Sequence, residues 1–169
     1  MIPPPFRVEP LGKQHDRAAF SCGVRELDEY LRSYAGQDQK RDLARCFVLI
    51  HEDDPSAVIG YYTLTNAAIT RDTAPGELRS PYSEVPALLI GRLAVDRNHQ
   101  GRGWGRRLLL HVLLHVARLS KESGFALVLV DPISQDAARF YERFGFSYLP
   151  GAERMYLRVK DLRKTLGSA

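Results

Sequence analysis

The chain has 169 residues, of which 44% are hydrophobic and 26% are charged, with a formal net charge of +4. This is an ordinary globular composition, and the length suffices for one well-buried core. There is no apolar run of about eighteen residues and no secretory pattern in the first residues, MIPPPF, so membrane-spanning and secreted proteins are disfavoured. Cys22 and Cys46 lie far apart, which favours a reducing cytoplasm and predicts neither a structural disulfide nor a metal site.

The charge is distributed unevenly along the chain. Residues 51–96 carry three Lys/Arg against seven Asp/Glu, whereas residues 97–169 carry thirteen against six. A basic C-terminal part suits a polyanionic partner, such as nucleic acid or a phosphorylated cofactor. The simpler alternative is a solvated surface with scattered arginines.

The first half of the chain predicts one helix among strands. Residues 6–11 alternate weakly and predict a first strand. Apolar residues then recur at helical spacing, with Ser21 as the predicted N-cap and Gly36 as the predicted stop. Residues 45–51 and 57–66 are rich in β-branched and aromatic side chains and predict a hairpin. The prolines of the next stretch, 67–86, predict a long loop with one short helical turn at most.

The second half alternates strands and helices. Residues 88–95 are apolar on both faces, which predicts a central strand buried beneath helices. The remaining elements are predicted in this order: an amphipathic helix ending near Ser120, a strand at 125–130, a helix capped by Ser134 and closed by Gly145, and a strand at 154–159. These elements predict an α/β (α+β) fold with a mixed central sheet flanked by helices on both faces. We expect a single domain spanning 1–169, with frayed ends near 1–5 and 163–169.

A glycine loop, QGRGWG at residues 100–105, follows the central strand and precedes the amphipathic helix. Free backbone N–H groups and the helix dipole favour an anion at such a helix start, and glycines let a pyrophosphate approach the backbone closely. The positive charges of Arg102, Arg106 and Arg107 lie beside it. The loop is therefore a candidate phosphate site, although an ordinary turn into a helix has the same local pattern.

Arg92 stands alone as a charge inside the apolar central strand. A cation in such a run needs a carboxylate, a carbonyl or a bound anion as its partner. An ion pair with an acidic residue of the middle segment and a role in substrate binding are about equally favoured.

Two motifs resemble the GCN5-related N-acetyltransferases (the GNAT superfamily). Gln100, Gly103 and Gly105 match the family pattern Q/R-x-x-G-x-G, and ARFYERFGF resembles the family signature A-x-x-F-Y-x-x-x-G-F. The resemblance implies acetyl-CoA as co-substrate, with its pyrophosphate on the glycine loop and its pantetheine along the end of the central strand. The implied cofactor-binding residues are Leu93, Ala94, Val95, Gln100, Gly101, Arg102, Gly103, Trp104, Gly105 and Arg106.

The same resemblance implies that Tyr141 is the general acid. An amine that attacks a thioester forms a tetrahedral oxyanion, and a thiolate must then leave. A phenol with a pKa near ~10 is protonated at neutral pH and can donate to that sulfur, while backbone N–H groups near residues 93–95 stabilise the oxyanion. Tyr141 also lies on the apolar stripe of its helix, which is the pattern of a core aromatic. Ser134 departs from the asparagine that many family members carry at this helix start.

No general base stands out, since nothing marks Glu84, Asp96 or His99 as paired or buried. A lysine amine with a pKa of about 10.4 needs deprotonation at pH 7, whereas an α-amino group, at about 7.7–8.0, is already partly neutral. The absence of a base therefore favours an α-amino acceptor.

An ordered set of segments extends the resemblance from about Phe20 to Tyr156. These segments, FSCGVRELDEYL, RCFVLI, VIGYYTL, LLIGRLAVD, QGRGWG and FYERFGF, resemble the TacT-type GNAT toxins. That resemblance implies transfer of acetyl to the α-amino group of aminoacyl-tRNA, which blocks translation. It also implies a cytoplasmic homodimer neutralised by a ribbon-helix-helix antitoxin, with no membrane partner. Arg92 is the candidate for the tRNA acceptor end, and Lys40, Arg41 and Arg45 are further tRNA candidates.

Two alternatives remain open. One is a GNAT enzyme that acetylates a small amine or a protein N-terminus, which would favour an acidic, narrow acceptor pocket. The other is a non-catalytic module that binds acyl-CoA or RNA, which the intact Tyr141 and glycine loop disfavour.

Overall fold

The structure is a computed structural model that describes residues 1–78 and 80–167. Its strands are β1 (Phe6–Pro10), β2 (Arg45–His51), β3 (Gly60–Thr70), β4 (Glu84–Val95), β5 (Leu127–Val130), β6 (Ser147–Tyr148) and β7 (Met155–Arg158). Its α-helices are α1 (Arg25–Glu29), α2 (Ala35–Lys40), α3 (Trp104–Leu119), α4 (Gln135–Glu142) and α5 (Val159–Gly167). The strands form one mixed sheet in the order β1-β2-β3-β4-β5-β7-β6, which confirms the predicted fold class. None of the helices in the described part of the chain has the length and apolarity needed to cross a bilayer.

The chain divides into two compact units. The first consists of Met1–Thr65 and Arg92–Val112, and the second of Asn66–Gly91 and Leu113–Ala169. Strands β3 and β4 and helix α3 each contribute residues to both units.

The first unit packs a helical segment against an antiparallel sheet. Strand β2 pairs with β1 on one side and with the start of β3 on the other. Tyr61 on β3 is fully buried and donates its hydroxyl to the Leu27 carbonyl at 2.7 Å, which ties α1 to the sheet. The rings of Phe20 and Tyr30 lie 5.4 and 6.5 Å from that of Tyr61 and complete this part of the core.

The helical segment 25–40 differs from the prediction at both ends. Ser21 is not its cap, because α1 begins after Val24, whose side chain makes no capping bond. Gly36 is not its stop but lies inside α2. The segment ends after Lys40, near Asp42, which takes a left-handed φ of 58°. Between α1 and α2 the backbone forms a π-helical turn, Tyr30–Tyr34.

The second unit holds the parallel pair of the sheet. Strand β5 pairs in parallel with β4 and antiparallel with β7, and the short β6, which the sequence did not predict, pairs with β7. Its core includes the buried side chains of Val85 and Ala87 on β4, of Leu127 and Leu129 on β5, and of Leu149 after β6.

The predicted loop at 67–86 is wrong at both ends. Strand β3 runs on to Thr70, and β4 already begins at Glu84. The predicted short helical turn is present as a 3-10 turn, Arg71–Thr73. Pro86 has no N–H to donate to the sheet, but its carbonyl still accepts from Ala126 N–H at 2.9 Å and its side chain is exposed. Arg79, within the remaining connection, lies outside the described residues.

The tail that was expected to fray from 163 forms α5 as far as Gly167. Val159 and Leu162 on this helix are buried. Arg163 donates to the backbone oxygen of Ser120 at 2.8 Å and to its hydroxyl at 3.1 Å. Tertiary contacts therefore hold a basic segment that has little helical signal of its own, while Ser168 and Ala169 lie outside the described residues.

Candidate active site

The glycine loop has the geometry of an anion site. Gly101 and Gly103 take φ values of +75° and +81°, a region that favours glycine, and a Cβ at either position would face open space. Helix α3 begins at Trp104, so Gly105 already lies in its first turn. The backbone N–H groups of this turn have no partner within the helix, and the helix dipole adds positive potential there.

The side-chain amide of Gln100 is hydrogen-bonded within the protein. Its Nε2 donates to the Cys22 carbonyl at 2.7 Å and to the Val95 carbonyl at 2.8 Å. Of the predicted cofactor contacts of Gln100, only those of its backbone are therefore compatible with this geometry. The bonds join the end of β4 to the residues that precede α1.

Asp96 reinforces this junction. Its carboxylate accepts from the backbone N–H of Ser21 at 3.0 Å and of Asn98 at 3.0 Å, and Arg97 N–H donates to the Ser21 carbonyl at 2.8 Å. His99 Nδ1 is buried without a hydrogen-bond partner in the described structure, 4.0 Å from Asp96 Oδ1. Asp96 therefore holds backbone in place and is not a free base.

The other predicted cofactor residues differ in exposure. Trp104 is buried, with its ring 4.3 Å from that of Phe6, so its indole belongs to the core. Arg102 and Arg106 are exposed beside the loop. On β4, Ala94 and Val95 are buried and Leu93 is half-buried. A Cβ at Gly60 would lie 2.9 Å from the Ala94 carbonyl oxygen, so this glycine permits close approach to the strand end.

Arg92 is covered by an aromatic ring. Its guanidinium carbon lies 3.4 Å from the centre of the Tyr30 ring, and no described carboxylate forms an ion pair with it. Of the two alternatives for Arg92, the ion pair with the middle segment is therefore wrong, and a cation–π contact takes its place. Tyr30 donates its hydroxyl to Asp38 at 2.8 Å. Burial, followed by this hydrogen bond, raises the pKa of Tyr30 well above its ordinary value.

These residues line a groove of about 390 Å³, which we call the aromatic groove. The Tyr34 ring stacks on that of Tyr30 at 6.4 Å and is exposed to solvent. The described residues that line the aromatic groove are Glu26, Glu29, Tyr30, Tyr34, Asp38 and Arg92. The groove offers a ligand one cation, three carboxylates and the exposed ring of Tyr34, whereas Tyr30 is buried beneath Arg92.

The three remaining tRNA candidates have different surroundings. Arg45 is held by Asp42 at 2.6 Å and donates to the Gln39 carbonyl at 3.0 Å. Arg41 is exposed. Lys40 lines a second groove of about 560 Å³ together with Lys13, Arg17 and Arg32, which we call the basic groove. Sequence reasoning missed Lys13 and Arg17, because nothing local to residues 11–17 indicates which helix they approach.

Tyr141 lies on α4 in the second unit. It is buried, and its ring makes edge contacts with Phe140 at 5.3 Å and Phe146 at 5.6 Å. Burial, and then the negative charge of Asp131, raise the pKa of Tyr141 to about 12. Its phenol is therefore protonated across the physiological range. The cap of α4 is as predicted, since Ser134 Oγ accepts from Ala137 N–H at 3.1 Å.

The mixed sheet and the glycine loop that precedes α3 define a class of protein. The acetyltransferase (GNAT) domain family matches residues 42–148, and the chain belongs to this family. The predicted class of enzyme, an N-acetyltransferase, is confirmed.

Named relatives narrow the comparison. The chain is 31% identical to a Sinorhizobium fredii protein named "Probable toxin TacT", over 95% of this chain and 94% of the relative. It is 34% identical to a Mycobacterium tuberculosis "tRNA-acetylating toxin", over 90% of this chain and 91% of the relative.

Solved structures agree on the fold. AtaT complexed with acetyl-methionyl-tRNAfMet is 27% identical, with a TM-score of 0.87 over 95% of this chain and 99% of that chain. A tyrosine-to-phenylalanine mutant of KacT has the same identity and TM-score, over 95% and 98% of the two chains. AtaTR bound with acetyl-CoA is 26% identical, with a TM-score of 0.84 over 95% and 98%.

Proposed function

We propose that the protein transfers acetyl from acetyl-CoA to the α-amino group of aminoacyl-tRNA and thereby blocks translation. The observation that carries this proposal is similarity over nine-tenths of the chain to a relative named a tRNA-acetylating toxin. The neighbours solved with acetyl-methionyl-tRNAfMet and with acetyl-CoA support the same acceptor and donor.

The glycine loop is the proposed cofactor site. Backbone N–H groups of residues 100–105 bind the pyrophosphate, and the open space beside Gly101 and Gly103 supports a close approach. Arg102 and Arg106 add positive charge at the surface. The backbone of residues 93–95 binds the pantetheine arm and stabilises the oxyanion.

Tyr141 is the proposed general acid. The amine nitrogen attacks the thioester carbon, the tetrahedral intermediate collapses, and the C–S bond breaks. Tyr141 donates its phenolic proton to the departing thiolate and regains one from solvent, while the acetylated nitrogen loses its proton to solvent. The phenol of Tyr141 carries its proton across the physiological range, which is the protonation state that this role requires.

The aromatic groove is the proposed acceptor site. The guanidinium of Arg92 faces an aromatic ring instead of a carboxylate, so its donors are free for the phosphates of the acceptor end. Among the other tRNA candidates, Lys40 and Arg41 are exposed, whereas the bond of Arg45 to Asp42 makes Arg45 the weakest.

The partners and organisation follow the same resemblance. We propose a cytoplasmic homodimer, with residues 1–169 as one domain, neutralised by a ribbon-helix-helix antitoxin. AtaT bound to the C-terminus of the antitoxin AtaR and the KacTA–DNA complex support an antitoxin partner.

The test is an acetylation assay with labelled acetyl-CoA and charged tRNA. We expect label on the aminoacyl end, and we expect Tyr141→Phe to lower kcat by about 100-fold or more while acetyl-CoA binding persists. Tyr148→Phe, at an exposed tyrosine on β6, is the matched control and should leave the rate unchanged. No labelling of charged tRNA by the folded protein would refute the proposal.

A small amine is the second candidate acceptor. Glu26, Glu29 and Asp38 in the aromatic groove favour a cationic ligand. The same assay with polyamine or peptide in place of charged tRNA distinguishes the two, since label on these acceptors alone would favour the second candidate.

A further inference from the structure

The basic groove of the first unit brings four cations together. Lys13 and Arg17 follow β1 in the chain, whereas Arg32 and Lys40 lie on the helical segment 25–40. None of the described residues that line this groove carries a carboxylate.

The four cations are not neutralised within the protein. Across residues 1–78 and 80–167, none of them has an ion pair or a side-chain hydrogen bond. Neighbouring arginines behave differently, since Arg7 pairs with Glu9 at 3.1 Å and Arg45 with Asp42 at 2.6 Å. Four unpaired cations around one cavity create a positive potential that favours an anionic ligand.

Gly36 makes room for one of these cations. A Cβ at Gly36 would lie 2.5 Å from Nη1 of Arg17, so a larger residue would displace the guanidinium. Glycine is an unfavourable residue inside a helix, and here it lies inside α2. The presence of this unfavourable glycine is explained if the placement of the Arg17 guanidinium contributes to ligand binding.

The walls of the groove are held in place. Gln39 donates from Nε2 to the Leu11 carbonyl at 3.1 Å and accepts at Oε1 from Cys46 N–H at 2.9 Å. Buried His15 accepts at Nδ1 from Gly12 N–H at 2.9 Å and bonds Glu9 at 2.7 Å. These bonds fix the turn that carries Lys13 against the helix that carries Lys40, so the backbone positions of the cations are set before any ligand arrives.

We propose that the basic groove binds phosphates of the RNA backbone of aminoacyl-tRNA, as a site separate from the aromatic groove. The inference rests on the proposed function. Arginine forks and lysine point charges suit phosphate oxygens. The described lining residues include no aromatic ring on which a base could stack. The groove therefore recognises the charge of the RNA phosphates and not the base sequence.

The first test measures tRNA binding as a function of salt. Lys13→Ala and Arg17→Ala should each weaken binding by about threefold to tenfold and lower the salt slope by about 1, equally for different tRNAs. Arg139→Ala, which removes an exposed arginine already paired with Asp136, is the charge-matched control and should change neither. Affinity for acetyl-CoA should also stay constant, and its loss in Arg17→Ala would overturn the inference by assigning the groove to a cofactor phosphate.

The second test uses Gly36→Ala. The substitution should raise Tm because it improves the helix, yet weaken tRNA binding as Arg17→Ala does. The double variant should bind no worse than Arg17→Ala, since both changes remove the same contact. A merely structural role for Gly36 would not produce opposite signs in stability and binding.

The outcomes separate this inference from the proposed function. If the wild type acetylates charged tRNA and the groove variants bind it with unchanged affinity and salt slope, the inference is wrong and the function stands. If the variants lose RNA binding while the wild type acetylates no charged tRNA, the groove stands as an RNA site and the function is wrong. KM for an aminoacyl ester without phosphates should be unchanged in Arg17→Ala, and an equal rise there would also overturn the inference.

Discussion

Both grooves of the first unit are lined by the helical segment 25–40, but they differ in charge. The aromatic groove combines one cation with three carboxylates, whereas the basic groove has four cations and no carboxylate among its described lining residues. The aromatic groove receives Glu26, Tyr30, Tyr34 and Asp38 from it, with Glu29 beside them, and the basic groove receives Arg32, Gly36 and Lys40, with Ser33, Gln37 and Gln39 beside them. The residues named first in each groove recur every four residues, and the two series are offset by two, which places them on different faces. The wider π-helical turn Tyr30–Tyr34 offsets part of the drift that a step of four accumulates at 3.6 residues per turn.

The aromatic groove is suited to orienting a ligand, whereas the basic groove is suited to attracting one through its charge. In the aromatic groove the only described cation, Arg92, is oriented by the ring of Tyr30, so its donors have a defined direction. In the basic groove four cations without partners surround an open cavity. We therefore expect substitutions in the first to affect turnover and those in the second to affect binding and its salt dependence.

The largest expected effect is that of Arg92. Arg92→Ala should lower kcat/KM for charged tRNA by about 100-fold, because it removes an oriented cation from the proposed acceptor site. Arg92→Lys should restore little, since lysine lacks the planar fork that stacks on Tyr30. Steady-state kinetics at two salt concentrations check this, and full activity of Arg92→Lys would reduce the aromatic groove to simple charge attraction.

Alkaline pH tests a tyrosine that belongs to neither groove. Because the native pKa of Tyr141 is raised to about 12 from an unfolded value near ~10, its contribution to stability is complete below pH 10. That contribution, about 2–3 kcal/mol, should be lost as the pH rises from 10 to 12. Denaturant unfolding of wild type and Tyr141→Phe measures it, and identical profiles would show that burial does not shift this phenol.

Gln100→Ala should lower stability and impair the functions that we assign to both grooves. It leaves the Cys22 and Val95 carbonyls without their donor, so we expect a loss of about 1–2 kcal/mol in the free energy of unfolding. Because Cys22 precedes α1, turnover and tRNA binding should decline together. A change in only one of them would show that the two grooves do not share this anchor.

The smallest expected effect on stability is that of Gly36→Ala. Alanine in a helix interior is favoured over glycine by about 1 kcal/mol, which corresponds to a rise in Tm of about 2–4 °C. Differential scanning calorimetry checks this, and a lower Tm would mean that Arg17 cannot move aside. Turnover on an acceptor without phosphates should be unchanged, which separates the basic groove from the aromatic one.

Local signals in the chain predicted the elements they control. The run 88–95, the glycines of residues 100–105 and the cap at Ser134 each act within a few neighbouring residues, and each appears where it was expected. Gly36 misled the prediction because a glycine that ends a helix and one that admits a distant guanidinium look the same locally. The helix α5 was missed because Val159, Leu162 and Arg163 are held by tertiary contacts and not by propensity.

The sequence by itself determined the class of sheet, the glycine loop and the family, because all three depend on short-range patterns of backbone freedom and burial. Only the tertiary structure decided which charges are free. Arg92 packs on an aromatic ring and not on a carboxylate. Lys13 and Arg17 line the same cavity as Arg32 and Lys40. Electrostatic pairing acts through space between residues far apart in the chain, so it cannot be read from the spacing of charges along it.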